Sequence, residues 1–158
     1  MDIKEKLMAD AKQNDICAEG YSHMRTSDRN MLIDYYISNP DWCLERNFPK
    51  LEVLTEHFSD CEDKGVYVNK TFKGELLNDL QAYVFHHCKG TIKVGLNTEK
   101  AILPMLYIAN GCRLRVVGVG QEGVSRPSGI PIYVFGKNDL SARSNRYVKF
   151  TKYSHDII

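Results

Sequence analysis

The stretch AYVFHHCKGTI, residues 82–92, decides the fold, because it recurs in degenerate form along the chain. Its likenesses are VYVNKTFKGEL at 66–76, LYIANGCRLRV at 106–116 and IYVFGKNDLSA at 132–142. Internal repetition outranks local propensity as a clue to architecture. Aligned on their tyrosines, Tyr67, Tyr83, Tyr107 and Tyr133, the four segments start 16, 24 and 26 residues apart. Val66, Ala82, Leu106 and Ile132 precede those tyrosines, and Val68, Val84, Ile108 and Val134 follow them. Nine positions after each tyrosine stand Leu76, Ile92, Val116 and Ala142, and six after stand the charged Lys73, Lys89, Arg113 and Asp139. Apolar odd offsets and polar even offsets give the two-residue period of a strand with one face inward. Between the apolar blocks lie Lys70-Thr71, His86-His87, Asn110-Gly111 and Gly136-Lys137, which is corner chemistry. Each unit therefore reads strand, corner, strand.

Stacked units of this kind build a β-solenoid, in which every coil covers its neighbour. The same alternation is also satisfied by antiparallel hairpins in a β-sandwich, and that alternative stays open. The alignment predicts an outward ladder of Tyr67, Tyr83, Tyr107 and Tyr133. It also predicts an inward stack of Phe72, Cys88, Cys112 and Asn138.

Before the repeat the period changes. Ile3, Leu7, Met8 and Ala11 predict an amphipathic helix over 2–13. Ser27 is a candidate N-cap for a helix carrying Met31, Leu32, Tyr35 and Tyr36, which stops at Asn39-Pro40. Asn39 can cap again, with Pro40 opening a short helix over Trp42, Cys43 and Leu44. Pro49 opens a third element that places Leu51, Leu54, Thr55 and Phe58 on one face. The polar run 59–65 then marks the boundary. The expected fold is α+β: a helical cap segment over 1–64 and a β-solenoid or short β-helix-like domain over 65–158, forming one compact unit. The apolar stripe of the helices needs a surface, and the tyrosine ladder would supply it.

At 158 residues the chain has the length of one domain, and its 43% apolar and 26% charged composition is that of an ordinary globular protein. The longest apolar run, 101–109, is too short for a membrane span. The start, MDIKEKLMAD, lacks the apolar core of a secretory signal, so a cytosolic location or an assembled particle is expected. Five cysteines, at 17, 43, 61, 88 and 112, fit reduced thiols better than a disulfide framework. Asn69-Lys70-Thr71 matches a glycosylation sequon that has no meaning without secretion.

The net charge of +1 conceals a division: residues 1–80 carry −6 and residues 81–158 carry +7. Such asymmetry suggests surfaces that attract one another, within one molecule or between copies. The overall balance argues against nucleic acid as a partner. A homo-oligomer or other particle proteins are expected instead.

No sequence pattern carries catalysis. The run 118–123 spells G-x-G-x-x-G, but Pro127 and Gly129 exclude the long helix a dinucleotide site needs. His86, His87 and Cys88 are adjacent on a strand and point to opposite faces, so a shared metal is not expected. Neither a cofactor nor a metal is implied. The carboxylates near 46–58 would repel phosphates, which argues against a DNA-reading helix pair there. Candidate binding residues are the four tyrosines of the ladder, together with Arg143, Arg146, Tyr147, Lys149 and Phe150. In the last group basic and aromatic residues alternate, as on single-strand-binding surfaces.

The segments NPDWCLERNFP at 39–49 and GTIKVGLNTEKAILPMLYIANGC at 90–112 resemble a protein family of Bacteroides-type gut bacteria and their phages, to which no function is attached. The resemblance covers most of the chain from Asn39 onward and implies a phage or prophage setting. With the repeat and the charge division it points to a non-enzymatic structural, assembly or attachment module, such as a virion component. The alternative is a small-molecule or nucleic-acid-binding protein that counters a host function.

Overall fold

The computed structural model describes residues 29–45, 58–119, 130–143 and 148–152, together with the helical positions Glu5, Ala9 and Thr55. Two short helices, α1 (Arg29–Ser38) and α2 (Pro40–Glu45), are followed by a 3-10 turn, Glu62–Lys64. Among the described residues nine strands follow: β1 (Val66–Val68), β2 (Thr71–Leu77), β3 (Ala82–His86), β4 (Lys89–Gly95), β5 (Met105–Ile108), β6 (Arg113–Val119), β7 (Ile130–Val134), β8 (Asp139–Arg143) and β9 (Val148–Lys152). The chain alternates between two sheets. Odd strands form one sheet in the order β1-β3-β5-β7-β9, even strands another in the order β2-β4-β6-β8, and every pairing is parallel.

This arrangement corrects the expected fold class. The described chain is mostly sheet, with only two short helices. Parallel pairing excludes the antiparallel sandwich. Nor do the described residues show a closed β-solenoid. Among the described residues each repeat contributes two strands, and no third sheet closes the stack. The returns from even to odd strands run through bends at 78–81 and through the turn at 96–104, which is held by an antiparallel bridge between Asn97 and Ile102. Two-residue alternation reports which face of a strand is buried. It carries no information on strand direction or on how many sheets a turn visits.

The layers follow from what each sheet must bury. The odd sheet lies in the middle. On one face Val66, Val68, Ala82, Val84, Tyr107 and Ala109 pack with Ile33, Tyr36, Cys43, Leu44 and Phe58 of the helical layer. On its other face Tyr67, Tyr83, Phe85, Leu106, Ile108, Ile132 and Val134 meet Phe72, Ile92, Val94, Leu114 and Val116 of the even sheet. Strands covered on both sides read as continuous apolar runs, and β1 and β3 are buried at every residue. The even sheet alternates, and its second face is left to solvent.

The observed register corrects the alignment of the repeat. Tyr67 pairs with Phe85, not with Tyr83, so the first interval is 18 residues. Tyr83 pairs with Leu106, while Lys89 pairs with Arg113. The first half of the second interval is therefore 23 residues and the second half 24, Gly111 being the extra corner residue. One residue of slip turns a side chain to the opposite face. Tyr67 and Tyr83 consequently point between the sheets, whereas Tyr107 and Tyr133 lie on the helix-facing side, stacked 5.2 Å apart. The expected four-tyrosine ladder is not formed. In the second strands, β2 bulges between Lys73 and Glu75, so Leu76 is 49% exposed and Leu77 takes the inward place. Phe72 lies opposite Gly90 rather than in line with Cys88.

Local sequence explains several joints. Asn39 closes α1 by donating its amide Nδ2 to the Tyr35 carbonyl at 3.1 Å, and its own carbonyl accepts the first bond of α2 from the Cys43 N–H. The Tyr83 hydroxyl accepts the N–H groups of Asp79 and Leu80, both at 3.0 Å, which lets a tyrosine sit inward without an orphaned oxygen. The helices expected over 2–13 and from Pro49 lie mostly outside the described residues.

Gly90 is the tightest point of the stack. Its φ is +104°, and a Cβ there would overlap the backbone of Phe72, whose ring packs against Tyr67 and Phe85 at 5.1 and 5.6 Å. Gly74 also has positive φ, +88°, but a Cβ would meet only the end of Lys93, at 3.8 Å. Gly90→Ala is expected to cost about 2–4 kcal/mol, by backbone strain plus overlap, against about 1 kcal/mol for Gly74→Ala. Urea unfolding of the two variants checks the difference.

Candidate functional site

The outer face of the even sheet is built by register. Thr71, Lys89, Arg113 and Asp139 form one row across the strands. Lys73, Thr91, Arg115 and Ser141 form the next, and Leu76, Lys93 and Val117 a third. Residues two apart on a strand share a face, so the rows belong to one surface. Lys73, Lys89, Lys93, Arg113 and Arg115 are all exposed there. Strand spacing of about 4.8 Å and a rise of about 3.3 Å per residue make it a surface of roughly 14 by 20 Å.

Its electrostatics are one-sided. Arg113 Nε lies 3.6 Å from Asp139 Oδ2, with both side chains about four-fifths exposed, so solvent weakens that pair. Glu75 Oε2 accepts the Lys73 N–H at 2.8 Å across the bulge. That backbone bond, with the charges of Lys70 and Lys73, holds its carboxyl below the usual range. Among the described residues Lys73, Lys89, Lys93 and Arg115 form no ion pair. At the near corner Lys70 is committed to Glu62, at 2.8 Å, with its ammonium over the rings of Tyr67 and Phe72 at 5.1 and 5.5 Å.

Of the nucleophile and base types visible in the repeat, Cys88, Cys112 and His86 lie inside, while His87 is exposed at the corner. Burial pushes the Cys88 thiol up to about 11 and the Cys112 thiol up to about 12. Both donate to backbone carbonyls, Cys88 to Tyr67 and Cys112 to Phe85. Asn138 completes this corner: its Oδ1 accepts the Cys112 N–H and its Nδ2 donates to the Phe135 carbonyl, each at 2.8 Å. His86 is fully buried under α1, with Nε2 3.3 Å from the Tyr36 hydroxyl and no hydrogen-bond partner for Nδ1. Burial, and then the neighbouring His87, pushes its imidazole down to about 3. Among the described residues no group of three or more His, Cys, Asp or Glu is placed to hold a metal ion.

The sequence-predicted binding residues do not converge. Tyr67 and Tyr83 are buried between the sheets, Tyr107 is buried against the helical layer, and Tyr133 is partly covered there. Arg143 pairs with Val117 in β8, while Lys149 and Phe150 pair with Pro131 and Ile132 in β9. Arg146 and Tyr147 lie outside the described residues, as does most of the 118–123 glycine run. The basic face is not among the sequence-predicted binding residues, because Lys93 and Arg115 join it only through the pairing of neighbouring strands. Its signal was the charged column six residues after each tyrosine. A cleft of about 500 Å³ lies between the end of α1 and the starts of β3 and β5, lined in part by Asp34, Ser38, Lys64, Gln81 and Met105.

Comparison with protein-family models, with curated proteins and with solved structures finds no match. No described helix is long and apolar enough to cross a membrane.

Two outcomes are expected from the buried groups. Unfolded His86 titrates near 6.5 and folded His86 near 3, so the unfolded state binds the extra proton between those values. Stability should therefore fall as pH drops from about 6.5 to 3, by up to about 5 kcal/mol, and His86→Leu should flatten that limb in urea titrations. Iodoacetamide at pH 8 should leave the buried Cys43, Cys61, Cys88 and Cys112 unmodified until urea is added, as peptide mass spectrometry would read directly.

Proposed function

We propose that this protein is a non-enzymatic attachment module whose layered body presents the outer face of β2-β4-β6-β8 to an anionic partner. The observation that carries the reading is the exposure of Lys73, Lys89, Lys93, Arg113 and Arg115 on that one surface. The interior position of Cys88, Cys112 and His86 supports a non-enzymatic role, since groups so shifted are poor nucleophiles and bases at neutral pH. The phage setting rests on the family resemblance of the 39–49 and 90–112 segments. Assembly with particle proteins or with further copies belongs to the same proposal. Among the described residues the end strands β8 and β9 each have one paired neighbour in their sheets, and edge strands invite association.

A second reading, a small-molecule binder, is favoured by the cleft beside α1. A ligand bound there would raise the melting temperature of the wild type but not of the cleft variant Gln81→Trp, whereas a partner of the sheet face would raise both.

Immobilised heparin is the polyanion probe. The wild-type chain should be retained at 50 mM salt, and the triple variant Lys73→Glu, Lys93→Glu, Arg115→Glu should flow through while keeping its circular dichroism and melting temperature. Equal retention of the two would remove the sheet face from the reading.

A further inference from the structure

We propose that the outer face of the even sheet binds the phosphate backbone of double-stranded nucleic acid, a deepening that rests on the attachment reading above. The whole-chain charge of +1 points elsewhere, but a phosphate responds only to charges within the screening length, roughly 8–10 Å at physiological salt. Within that distance of Thr91 lie the register positions of Lys73, Lys89, Lys93 and Arg115, against the carboxylates of Glu75 and Asp139 nearer the rim. Glu75 is already engaged by a backbone N–H and Asp139 by Arg113.

Three features select the occupant. The centre of the surface is charged and hydroxylic, with Thr91 between Lys73 and Arg115 and with Thr71 and Ser141 on the flanking strands, and its aliphatic residues, Leu76, Val117 and Val119, stand at one end. A protein partner would favour an apolar centre with charge at the rim, the reverse of this order. Interfaces with nucleic acid are polar and strongly positive, and hydroxyls there donate to phosphate oxygens. No aromatic side chain stands on the face among its described residues, so bases have nothing to stack on, which disfavours single strands. The cations also spread over three strands in two dimensions rather than following one groove, which suits the two backbones of a duplex.

Contact through phosphates alone makes binding independent of base sequence and strongly dependent on salt. Four engaged phosphates give a slope of about −4 in log K against log salt, hence a loss of roughly two orders of magnitude between 50 and 200 mM. The area is small for a specific complex, so dissociation constants in the micromolar range at low salt are expected.

The test is fluorescence anisotropy with a labelled 24-base-pair DNA duplex of arbitrary sequence, the corresponding 24-nucleotide single strand, and heparin retention run in parallel. The expected result is duplex binding at 50 mM salt, insensitive to sequence and tighter than the single strand. Lys93→Gln and Arg115→Gln should each weaken it several-fold and lower the salt slope by about one, while Lys100→Gln, off the face, leaves both unchanged. Heparin retention without duplex binding would overturn the nucleic-acid assignment and leave the attachment reading standing. Loss of both would overturn the two together. Equal or tighter single-strand binding, or binding that Lys93→Gln and Arg115→Gln do not alter, would overturn the assignment of duplex and of face respectively.

Discussion

The middle sheet is covered on both faces, and the rest of the molecule is arranged around that constraint. A parallel sheet with apolar residues on both sides needs two partners. Here the helical layer supplies one and the even sheet the other. Charge has no place in β1, β3 or the inward half of the even strands. Lys89, Lys93, Arg113 and Arg115 of the C-terminal half therefore lie on the face of the even sheet that water reaches. The basic surface is in this sense a by-product of layering, made specific by register: parallel pairing puts Lys73, Thr91, Arg115 and Ser141 side by side although they are far apart in sequence.

Register also decides what the tyrosines do. A single additional residue at the Asn110-Gly111 corner separates the turn of β3 from that of β5, so two tyrosines enter the inter-sheet core and two face the helices. Tyr67 joins Phe72, Tyr83 and Phe85 in an aromatic cluster beside the first turn, with ring separations of 5.1 to 6.3 Å. Gly90 permits this cluster by letting the Phe72 backbone approach it directly. Lys70 lies over the cluster from outside and is tied to Glu62 of the 3-10 turn, linking the first strand pair to the segment that leads in from the helices.

His86 marks the cost of burying a corner. It ends β3, where the chain leaves the middle sheet, and α1 closes over it. A neutral imidazole is tolerated at that position through the Tyr36 hydroxyl, and an imidazolium is not. The contact between helix layer and sheet is thereby coupled to acid, while the exposed basic face lies two layers away.

Sequence alone established the repeated apolar–polar alternation, the corners that divide each unit into two strands, the stop of the first helix at Ser38 to within a residue or two, and the helix over Trp42, Cys43 and Leu44. These are local properties, set by side-chain period and by the chemistry of Asn, Gly and Pro. The charged column at Lys89, Arg113 and Asp139 was also legible, and its outward direction follows from period alone. Strand direction, the number of sheets and the face each tyrosine takes were decided only by tertiary structure. The alternation fits parallel and antiparallel pairing equally, and one inserted residue or the bulge at Gly74 reverses inward and outward without altering composition. Whether isolated cations become a surface depends on neighbours supplied by other turns of the chain, because the energy of a charged row lies between strands and not within any one of them.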